Sequence, residues 1–316
     1  MFKKMRFLIR VLGLLIFWSG FAFAETPVFT TQLTPYSMQK FDDEIALIYK
    51  NKVSNPGVST NQNMVAVARY FLNRPFLLFA LGEGEQGAYD QAPLYRTDAF
   101  DCETFILTVL ALSQSNSLES FRKRILALNY ENNQPNFFER NHFTATQWLP
   151  NNQKKGFVKD ITTKIYPKAT RVSAKVNLSA WFETLPSDRI QMIKPISASA
   201  AEALFTELKK SAPKNKITSG SITFIPRKII LSSKGPQILK KIPDGSIIQF
   251  VEKFPKTTKF SSSPYYLGHF SISFHQNGEL WLLESSLIDG KVIAIPAKKY
   301  IGGWMGARGI TVLAPS

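Results

Sequence analysis

A change in hydrophobic pattern near residue 217 constrains the fold of this chain more than any other feature. Before that point apolar residues recur at helical spacing, and after it short β-branched and aromatic runs alternate with turn residues. The predicted helices cover 37–49, 60–72, 102–113, 117–128 and 201–210. The predicted strands cover 221–225, 246–251, 267–275, 279–285, 291–295 and 309–313. Helices followed by strands predict an α+β fold, in which a helical N-terminal half packs on one side of an antiparallel sheet or partial barrel.

Several of these helices carry recognisable N-terminal signals. Ser37 and Thr60 are the predicted N-caps of the first two helices, and Ser199 with Glu202 forms a predicted capping box for the last. Residues 130–190 are rich in Asn, Pro and aromatic residues, and they are predicted to be irregular.

The first 24 residues have the three parts of a secretory signal peptide. A basic segment precedes an apolar run of residues 11–21, and Ala22-Phe23-Ala24 follows as a small-residue cleavage site. The apolar run is too short to span a bilayer. We therefore expect cleavage after Ala24, no membrane anchor and a periplasmic or secreted protein. Residues 25–316 are predicted to form one domain, mainly helical over 25–216 and mainly β over 217–316.

The chain is strongly basic, with a formal net charge of +16. Outside the cytosol, a basic protein meets anionic polymers of the cell envelope rather than nucleic acid. A cationic surface that is merely solvated explains the charge equally well. No feature of the sequence indicates an oligomer, and we expect a monomer.

Cys102 is the only cysteine of the chain, and it stands at the predicted start of a buried helix. The backbone N–H groups and the dipole at a helix N-terminus stabilise a thiolate, which can bring the pKa below neutrality. An isolated cysteine is also often a small buried apolar residue. The position therefore makes Cys102 a candidate nucleophile, for which a base must be found.

One hairpin selects the base among the three histidines. Asn277-Gly278 is typical of a two-residue type I′ turn, which pairs Gln276 with Glu279. The resulting register pairs Phe274 with Trp281, Ile272 with Leu283 and Phe270 with Ser285. The face that these pairs share is almost wholly apolar and is predicted to be the core side.

The opposite face of the hairpin carries His269, Ser271, Ser273 and His275. Glu284 shares this face and lies diagonally across from His269, within reach of a long side chain. A carboxylate beside an imidazole holds the ring in one tautomer and orientation. The register therefore predicts a pair of base and orienting group, although an ordinary half-buried histidine would fit equally well. His275 lies next to the turn and is predicted to be exposed.

A helix-borne cysteine followed by a strand-borne histidine is the chain order of papain-like folds. The segment FDCETFILTVLAL resembles the nucleophile motif of NlpC-like cell-wall cysteine peptidases. More narrowly, the chain resembles an N-acetylmuramoyl-L-alanine amidase family first described as a domain of unknown function. The segments that carry this resemblance include YFLNRPFLLFALGEG, RNHFTATQWLPNN, GFVKDIT, FIPRKI, IPDGSIIQFV, LGHFSISF, LLESS and GITVL. Their order and spacing carry the resemblance over most of the chain.

The resemblance implies a papain-like cysteine hydrolase that cleaves the amide between N-acetylmuramic acid and L-alanine in peptidoglycan or muropeptides. It makes Cys102 the nucleophile and His269 the base. Two positions depart from the family pattern. Glu284 stands where the family usually has a third histidine, and Ser271 stands where it tends to have glycine. We expect Glu284 to be the third member of the catalytic group, and Ser271 to narrow the substrate pocket or alter specificity.

The resemblance also implies a set of substrate-binding residues. Arg140 is expected to bind a carboxylate of the stem peptide, because a guanidinium matches carboxylate geometry. Trp148 is expected to stack on a sugar. Local packing of the loop would explain Arg140, His142 and Trp148 equally well. The other candidates are His142 in the same motif and Tyr95, Arg96 and Asp98 before the nucleophile.

Other functions remain open from the residues alone. A zinc amidase could use His142, His269 and Glu284, but the sequence has no HExxH or similar short-spaced ligand pair and this scheme leaves Cys102 unexplained. A muropeptide endopeptidase acting on the γ-D-glutamyl bond and a non-catalytic cell-envelope binding protein are the remaining alternatives. A serine hydrolase is disfavoured because no G-x-S-x-G segment exists. Neither the motifs nor the resemblance implies a metal or an organic cofactor.

Overall fold

The computed structural model describes residues 31–32, 36–186, 189–254 and 259–316. The predicted signal peptide lies outside these residues. Within the described ranges, every helix is too short or too polar to cross a membrane.

The helices and the strands have the following bounds. The helices are α1 (Met38–Lys50), α2 (Thr60–Tyr70), α3 (Cys102–Ser113), α4 (Leu118–Asn129), a π-helix (Thr144–Trp148), α5 (Leu149–Lys154), α6 (Thr162–Ile165), α7 (Leu178–Glu183), α8 (Ala198–Ser211), α9 (Arg227–Ile230), α10 (Gly235–Leu239) and α11 (Ala297–Gly303). The strands are β1 (Thr31–Gln32), β2 (Val158–Asp160), β3 (Thr170–Asn177), β4 (Gln191–Met192), β5 (Ile217–Pro226), β6 (Ile247–Lys253), β7 (Tyr265–Gln276), β8 (Glu279–Ser286), β9 (Lys291–Pro296) and β10 (Gly309–Pro315).

The helix starts agree with the capping signals to within two residues. Ser37 caps α1 and accepts a hydrogen bond from the backbone of Lys40, as predicted. Ser59 rather than Thr60 caps α2 and forms a capping box with Gln62. The predicted Ser199 cap is wrong, because Ser197 caps α8 two residues earlier.

One antiparallel sheet contains eight of the described strands. Its order is β3-β5-β10-β6-β7-β8-β9, and β2 pairs with β10 beside β5. The sheet does not close into a barrel. All six strands predicted after residue 217 are confirmed, which supports the antiparallel α+β class.

The region predicted to be irregular contributes strand β3 to this sheet, so that prediction is wrong. Thr170 to Asn177 pairs with β5 along its whole length. Only Val172, Ala174 and Val176 supply apolar side chains on one face, and Ala174 and Val176 are the buried ones. These three residues alternate with polar ones, which is the period-two pattern of a half-buried strand, so the signal was present in the sequence and was overlooked among the surrounding Asn, Pro and aromatic residues.

The hairpin of β7 and β8 has the register expected from its turn. Asn277 and Gly278 both have positive φ angles, 52° and 77°, as a type I′ turn requires. The pairs Gln276–Glu279, Phe274–Trp281 and Ile272–Leu283 are all present. This register places His269 and Glu284 on the same side of the sheet.

Both faces of the sheet are buried, which corrects the prediction of helices on one side only. Phe270, Ile272 and Leu283 pack with the helices α2, α3 and α4 on one face. On the other face, residues of β6, β8 and β10 pack with α9, α10 and α11. These three helices have four, five and seven residues, so helical periodicity is too brief to reveal them in the sequence. The side of His269 and Glu284 is therefore covered and not open to solvent.

Candidate active site

The nucleophile candidate begins α3, and its neighbours build the helix start. Asp101 is the N-cap and accepts a hydrogen bond of 2.8 Å from the backbone of Thr104, while the Thr104 hydroxyl accepts 2.9 Å from the Asp101 backbone. All residues from Thr104 to Ser113 are buried. The helix is therefore packed on all of its faces. Because Asp101 and Thr104 define its first turn, Cys102 has a fixed position at the edge of the core.

The surroundings of the thiol raise its pKa well above the ordinary value. Burial is the largest cause, and the nearby carboxylates of Asp101, Glu103 and Glu284 add to it. A hydrogen bond with the backbone of Phe270 acts in the opposite direction. The helix start therefore does not lower the pKa of this thiol as its position suggested, because burial disfavours the thiolate and the two acids beside it add to that effect. The contact with Phe270 places Cys102 beside the strand position that follows His269.

His269 and Glu284 form a buried pair across β7 and β8. Nε2 of His269 lies 2.6 Å from Oε2 of Glu284, and the two residues are 8% and 0% exposed. Glu284 Oε1 has no hydrogen-bond partner among the described residues. Since Glu284 engages Nε2, Nδ1 is the ring nitrogen left to exchange a proton with a thiol. The strand register predicted that these two side chains would lie within reach of each other, and the contact is present.

Sequence reasoning missed Tyr300 on α11, which contacts the same pair. Its Oη lies 3.1 Å from His269 Nε2. Burial raises the pKa of Tyr300 well above its usual value, and a hydrogen bond with Glu284 and the nearby Cys102 add to the shift. Phe250 and Trp304 pack around the His269 ring, with centroids 5.6 Å and 4.8 Å away. The only signal in the sequence was an aromatic pair, Tyr300 and Trp304, at helical spacing between β9 and β10.

Arg140 lies inside the protein and binds two acids. Its Nε donates 2.9 Å to Glu83 Oε1, and its Nη2 bonds both Glu83 and Asp90, the latter at 2.9 Å. Its Nη1 donates 3.2 Å to the carbonyl of Leu81. These contacts give Arg140 a structural role, and binding of a stem-peptide carboxylate stays a prediction.

Trp148 lies in the interior, and His142 is half-buried among aromatic side chains. His142 Nε2 lies 2.6 Å from the Phe137 carbonyl, and burial together with Arg140 lowers the pKa of His142 well below its usual value. Trp148 is 3% exposed and packs in the core, so its ring has no open face for a sugar. The π-helix turns this side chain inward, against α3 and β7.

The remaining candidate substrate residues also have contacts within the protein. Tyr95 Oη donates 2.5 Å to Asp42 Oδ1 and accepts 3.0 Å from Arg122 Nε, which ties the loop before α3 to α1 and α4. Arg96 and Asp98 form a two-pronged ion pair at 2.7 and 2.9 Å. Ser271 is fully buried on the His269 side of β7, and among the described residues its hydroxyl has no partner.

The zinc alternative finds no support in the arrangement of its ligands. His142 belongs to the cluster around Phe182, whereas His269 and Glu284 lie between the sheet and α11. Within the described part of the chain, no three His, Cys, Asp or Glu side chains are placed to share a metal ion. The predicted ligand set is therefore not brought together.

Residues 66–305 match the model of a family described as AmiA-like, N-acetylmuramoyl-L-alanine amidase-like. The matched range contains Cys102, His269, Glu284 and Tyr300. The matching family is not NlpC/P60, so the NlpC-like label drawn from the sequence is not supported. The amidase family named in the same resemblance is confirmed. Among curated proteins, no sequence match is found.

Solved structures resemble the chain over most of its length. A crystal structure of a Legionella pneumophila protein from the family DUF1460 has 27% identity and a TM-score of 0.81, covering 88% of this chain and 95% of its own. An N-acetylmuramoyl-L-alanine amidase from Bacteroides uniformis has 20% identity and a TM-score of 0.58, covering 81% and 99%. A candidate xylanase from Bacteroides fragilis has 20% identity and a TM-score of 0.55, covering 81% and 99%. At these identities the two Bacteroides structures support the fold alone.

Proposed function

Because the chain belongs to the AmiA-like family of N-acetylmuramoyl-L-alanine amidase-like enzymes, we propose that it cleaves the amide between N-acetylmuramic acid and L-alanine. The substrate is peptidoglycan or a muropeptide released from it. The observation that carries the chemistry is the buried pair of His269 on β7 and Glu284 on β8. The backbone of Phe270, the residue after His269, hydrogen-bonds the thiol of Cys102 and so brings the thiol close to this pair. A nucleophile, a base and an orienting group are the three parts that acyl transfer through a thiol needs.

In this proposal Cys102 and His269 are the catalytic residues. His269 takes the thiol proton as Sγ attacks the lactyl carbonyl carbon, because the raised pKa keeps the resting thiol protonated. The backbone N–H of Cys102 and a neighbouring donor stabilise the oxyanion. His269 then gives its proton to the departing amine of L-alanine, and a thioester remains on Sγ. Water, activated by the same imidazole, hydrolyses that thioester.

Glu284 and Tyr300 act as positioning residues for this base. Glu284 holds Nε2 at 2.6 Å and so directs Nδ1 toward the nucleophile. Tyr300 supports the same nitrogen from α11 at 3.1 Å. The buried carboxylate also stabilises the imidazolium that forms when the thiol loses its proton. A glutamate can therefore fill the position that the family resemblance gives to histidine.

The proposal also covers the fold type, the domain organisation and the cellular location of the enzyme. The helix-borne nucleophile and the strand-borne base fit a papain-like arrangement, in which residues 25–316 act as one domain because the site draws on both halves. Export through a signal peptide over residues 1–24 would bring the enzyme to its polymer. Peptidoglycan is extracytoplasmic, and the family match supports that location.

Mass spectrometry of muropeptides incubated with the purified chain tests the function directly. The expected products are a lactyl-bearing sugar and an intact stem peptide with a free L-alanine N-terminus. Cleavage only at the γ-D-glutamyl bond would replace the amidase with an endopeptidase, and binding without products would indicate an envelope-binding protein. The matched control is Cys102→Ala, which should bind substrate and release nothing. Activity should also survive exhaustive chelation, and restoration by zinc after chelation would favour the metalloamidase.

A further inference from the structure

A second carboxylate, that of Glu252, lies close to the base on the neighbouring strand. Phe250 of β6 pairs with His269 of β7, and Glu252 follows Phe250 by two residues, on the same face of β6. Glu252 is half-buried, whereas Glu284 is completely buried. The proposed mechanism gives Glu252 no part, so its position beside the base requires an explanation.

Strand β7 makes room for this carboxylate with a bulge immediately before the base. The pairing of β6 with β7 skips Gly268, which lies between Leu267 and His269. A Cβ at position 268 would lie 2.4 Å from Oε1 of Glu252. Bulges are common next to active sites, where they redirect a side chain. The Glu252 carboxylate therefore occupies the space that a side chain immediately before His269 would fill.

Two aromatic residues border the other oxygen of this carboxylate. Tyr266 Oη donates a hydrogen bond of 3.1 Å to Oε2. A Cβ at Gly306 would lie 3.1 Å from Trp304 Nε1 and 3.5 Å from Glu252 Oε2, so these two groups border the same small space. The Trp304 ring also packs on His269, with ring centroids 4.8 Å apart. The acid and the base are therefore neighbours of one indole ring.

The charges of Glu252 and His269 act on each other. Burial raises the pKa of Glu252, whereas the Tyr266 hydroxyl and protonated His269 act in the opposite direction. Coupling between two sites is reciprocal, so an ionised Glu252 favours the protonated imidazole to the same degree. Among the described residues, the other titratable groups that face this pair are Glu284, Tyr300, Tyr266 and Cys102. The imidazole therefore lies in the field of two carboxylates, on β6 and on β8.

We propose that Glu252 is a positioning residue whose charge stabilises the imidazolium that His269 becomes when Cys102 loses its proton. The role rests on the proposed function, in which His269 is the base. Glu284 and Tyr300 contact Nε2 and so determine the orientation of the ring. Among the described contacts, Glu252 bonds neither ring nitrogen and acts through its charge alone. Because Glu252 is partly open to solvent, which screens its charge, its effect should be smaller than that of Glu284.

An NMR titration of the His269 ring tests the role without any turnover. The full chain carrying Cys102→Ala is labelled with ¹³C-histidine, and its three histidines are assigned by replacing one at a time. Glu252→Gln should lower the midpoint of the His269 titration by about half a pH unit, because the amide keeps an acceptor for Tyr266 but loses the charge. Glu279→Gln, an exposed acid at the start of β8, is the matched control and should leave the midpoint unchanged. An unchanged midpoint in Glu252→Gln would overturn the proposal.

Gly268→Ala tests whether the place of the charge matters. The new methyl group displaces the carboxylate, so the His269 midpoint should fall in this variant as well. In a chain that carries Glu252→Ala, the methyl group meets no carboxylate and should lower the midpoint no further, since its contact with the Tyr266 ring is common to both backgrounds. An equal shift in both backgrounds would contradict the role of Glu252. If Glu252→Gln fails to fold, Gly268→Ala decides, and an unchanged midpoint there would overturn the proposal.

Turnover of muropeptides is the second readout. In the chain with Cys102 intact, Glu252→Gln should lower kcat by about three- to tenfold with KM nearly unchanged, and the acid limb of the pH profile should move to lower pH. The loss should be full at pH 8 and should shrink in acid, where Glu252 is itself protonated. Glu252→Asp keeps the charge and should recover most of the activity. A loss of the same size at every pH, which Glu252→Asp does not relieve, would mean that Glu252 only packs.

The two readouts separate this role from the amidase function. A chain that hydrolyses no muropeptide but shows the His269 shift in Glu252→Gln would refute the proposed function and leave the coupling of the two charges standing. Hydrolysis of the muramoyl–L-alanine amide with no shift of the His269 midpoint would do the reverse.

Discussion

Nε2 of His269 lies 2.6 Å from Oε2 of Glu284, and the carboxylate is completely buried. The two residues come from adjacent strands whose register is set by the Asn277-Gly278 turn. Because Tyr300 reaches the same nitrogen from α11, the imidazole is constrained from the strand beside it and from the helix above it. This geometry makes separate predictions for the carboxylate, the phenol and the thiol.

Replacement of the carboxylate should reduce turnover without abolishing it. In Glu284→Gln the amide can still hold the ring but cannot stabilise an imidazolium, so we expect kcat to fall by about 10² to 10⁴. Glu284→His, which restores the usual family residue, should retain substantial activity. Muropeptide hydrolysis followed by chromatography measures both. Glu279→Gln at the exposed start of β8 is the control and should be unaffected. Wild-type kcat in Glu284→Gln would remove Glu284 from the mechanism.

Tyr300 should affect the pH dependence of turnover more than substrate binding. Tyr300→Phe keeps the ring among Phe250 and Trp304 but removes the hydroxyl that contacts His269 Nε2. We expect kcat to fall by about 10- to 100-fold, with KM nearly unchanged and a shifted pH profile, since one hydrogen bond to a charged group is worth about 1.5–3 kcal/mol. Tyr265→Phe, on β7, is the matched control. A KM effect with an unaltered profile would mean that Tyr300 only packs.

Cys102 should be a slow thiol at neutral pH. Since burial and the carboxylates of Asp101, Glu103 and Glu284 raise its pKa, iodoacetamide labelling should accelerate as pH increases from 7 to 9. Glu103→Gln removes one of these negative charges and should increase the rate of labelling at pH 7.5. Glu119→Gln, an exposed acid on α4, should not change that rate. Mass spectrometry of the labelled chain gives the rates, and rapid labelling that is independent of pH would show that the resting group is a thiolate.

The sequence predicts the strand half of this protein better than the surroundings of the nucleophile. A two-residue turn and alternating side chains determine the β7–β8 register locally, so His269 and Glu284 could be paired from the sequence. The raised pKa of Cys102 depends on how deeply the α3 start is buried, which is a property of tertiary packing. Tyr300 contacts His269 across 31 residues, through a helix of only seven residues. No short sequence pattern predicts this contact between Tyr300 and His269.

The dependence on tertiary packing also explains why the burial of Arg140 and Trp148 was not predicted. Arg140 and Trp148 have side chains that commonly line carbohydrate and peptide sites, and their motif resembles that of the family. Their burial follows from partners distant in the chain, such as Glu83 for Arg140 and Phe270 for Trp148. The sequence therefore identified an informative segment, but the contacts that bury its side chains depend on partners it could not reveal, and substrate binding by these residues stays a prediction.

Loss of the Arg140 guanidinium should destabilise the fold in a pH-dependent way. Arg140→Met leaves Glu83 and Asp90 buried without their shared cation, and breaking such a network costs about 3–5 kcal/mol of unfolding free energy. The pKa of Glu83 in the folded protein, about 7, exceeds its ordinary value of 4.5. Its protonated form therefore favours the folded state, and this contribution is complete below about pH 4.5 and is lost as pH increases through 7.

The Arg140→Met deficit should accordingly be larger at pH 8 than at pH 5, because acid protonates the stranded carboxylates. Urea unfolding at the two pH values measures it, with Arg171→Met on the exposed part of β3 as the control, for which a change below about 0.5 kcal/mol is expected. The double variant Arg140→Met with Glu83→Gln should recover part of the loss at pH 8, since it removes one of the two uncompensated charges. A deficit that is the same at both pH values, and that Glu83→Gln does not relieve, would mean that Arg140 stabilises the loop of residues 82–87 through packing and the Leu81 carbonyl rather than through its two acids.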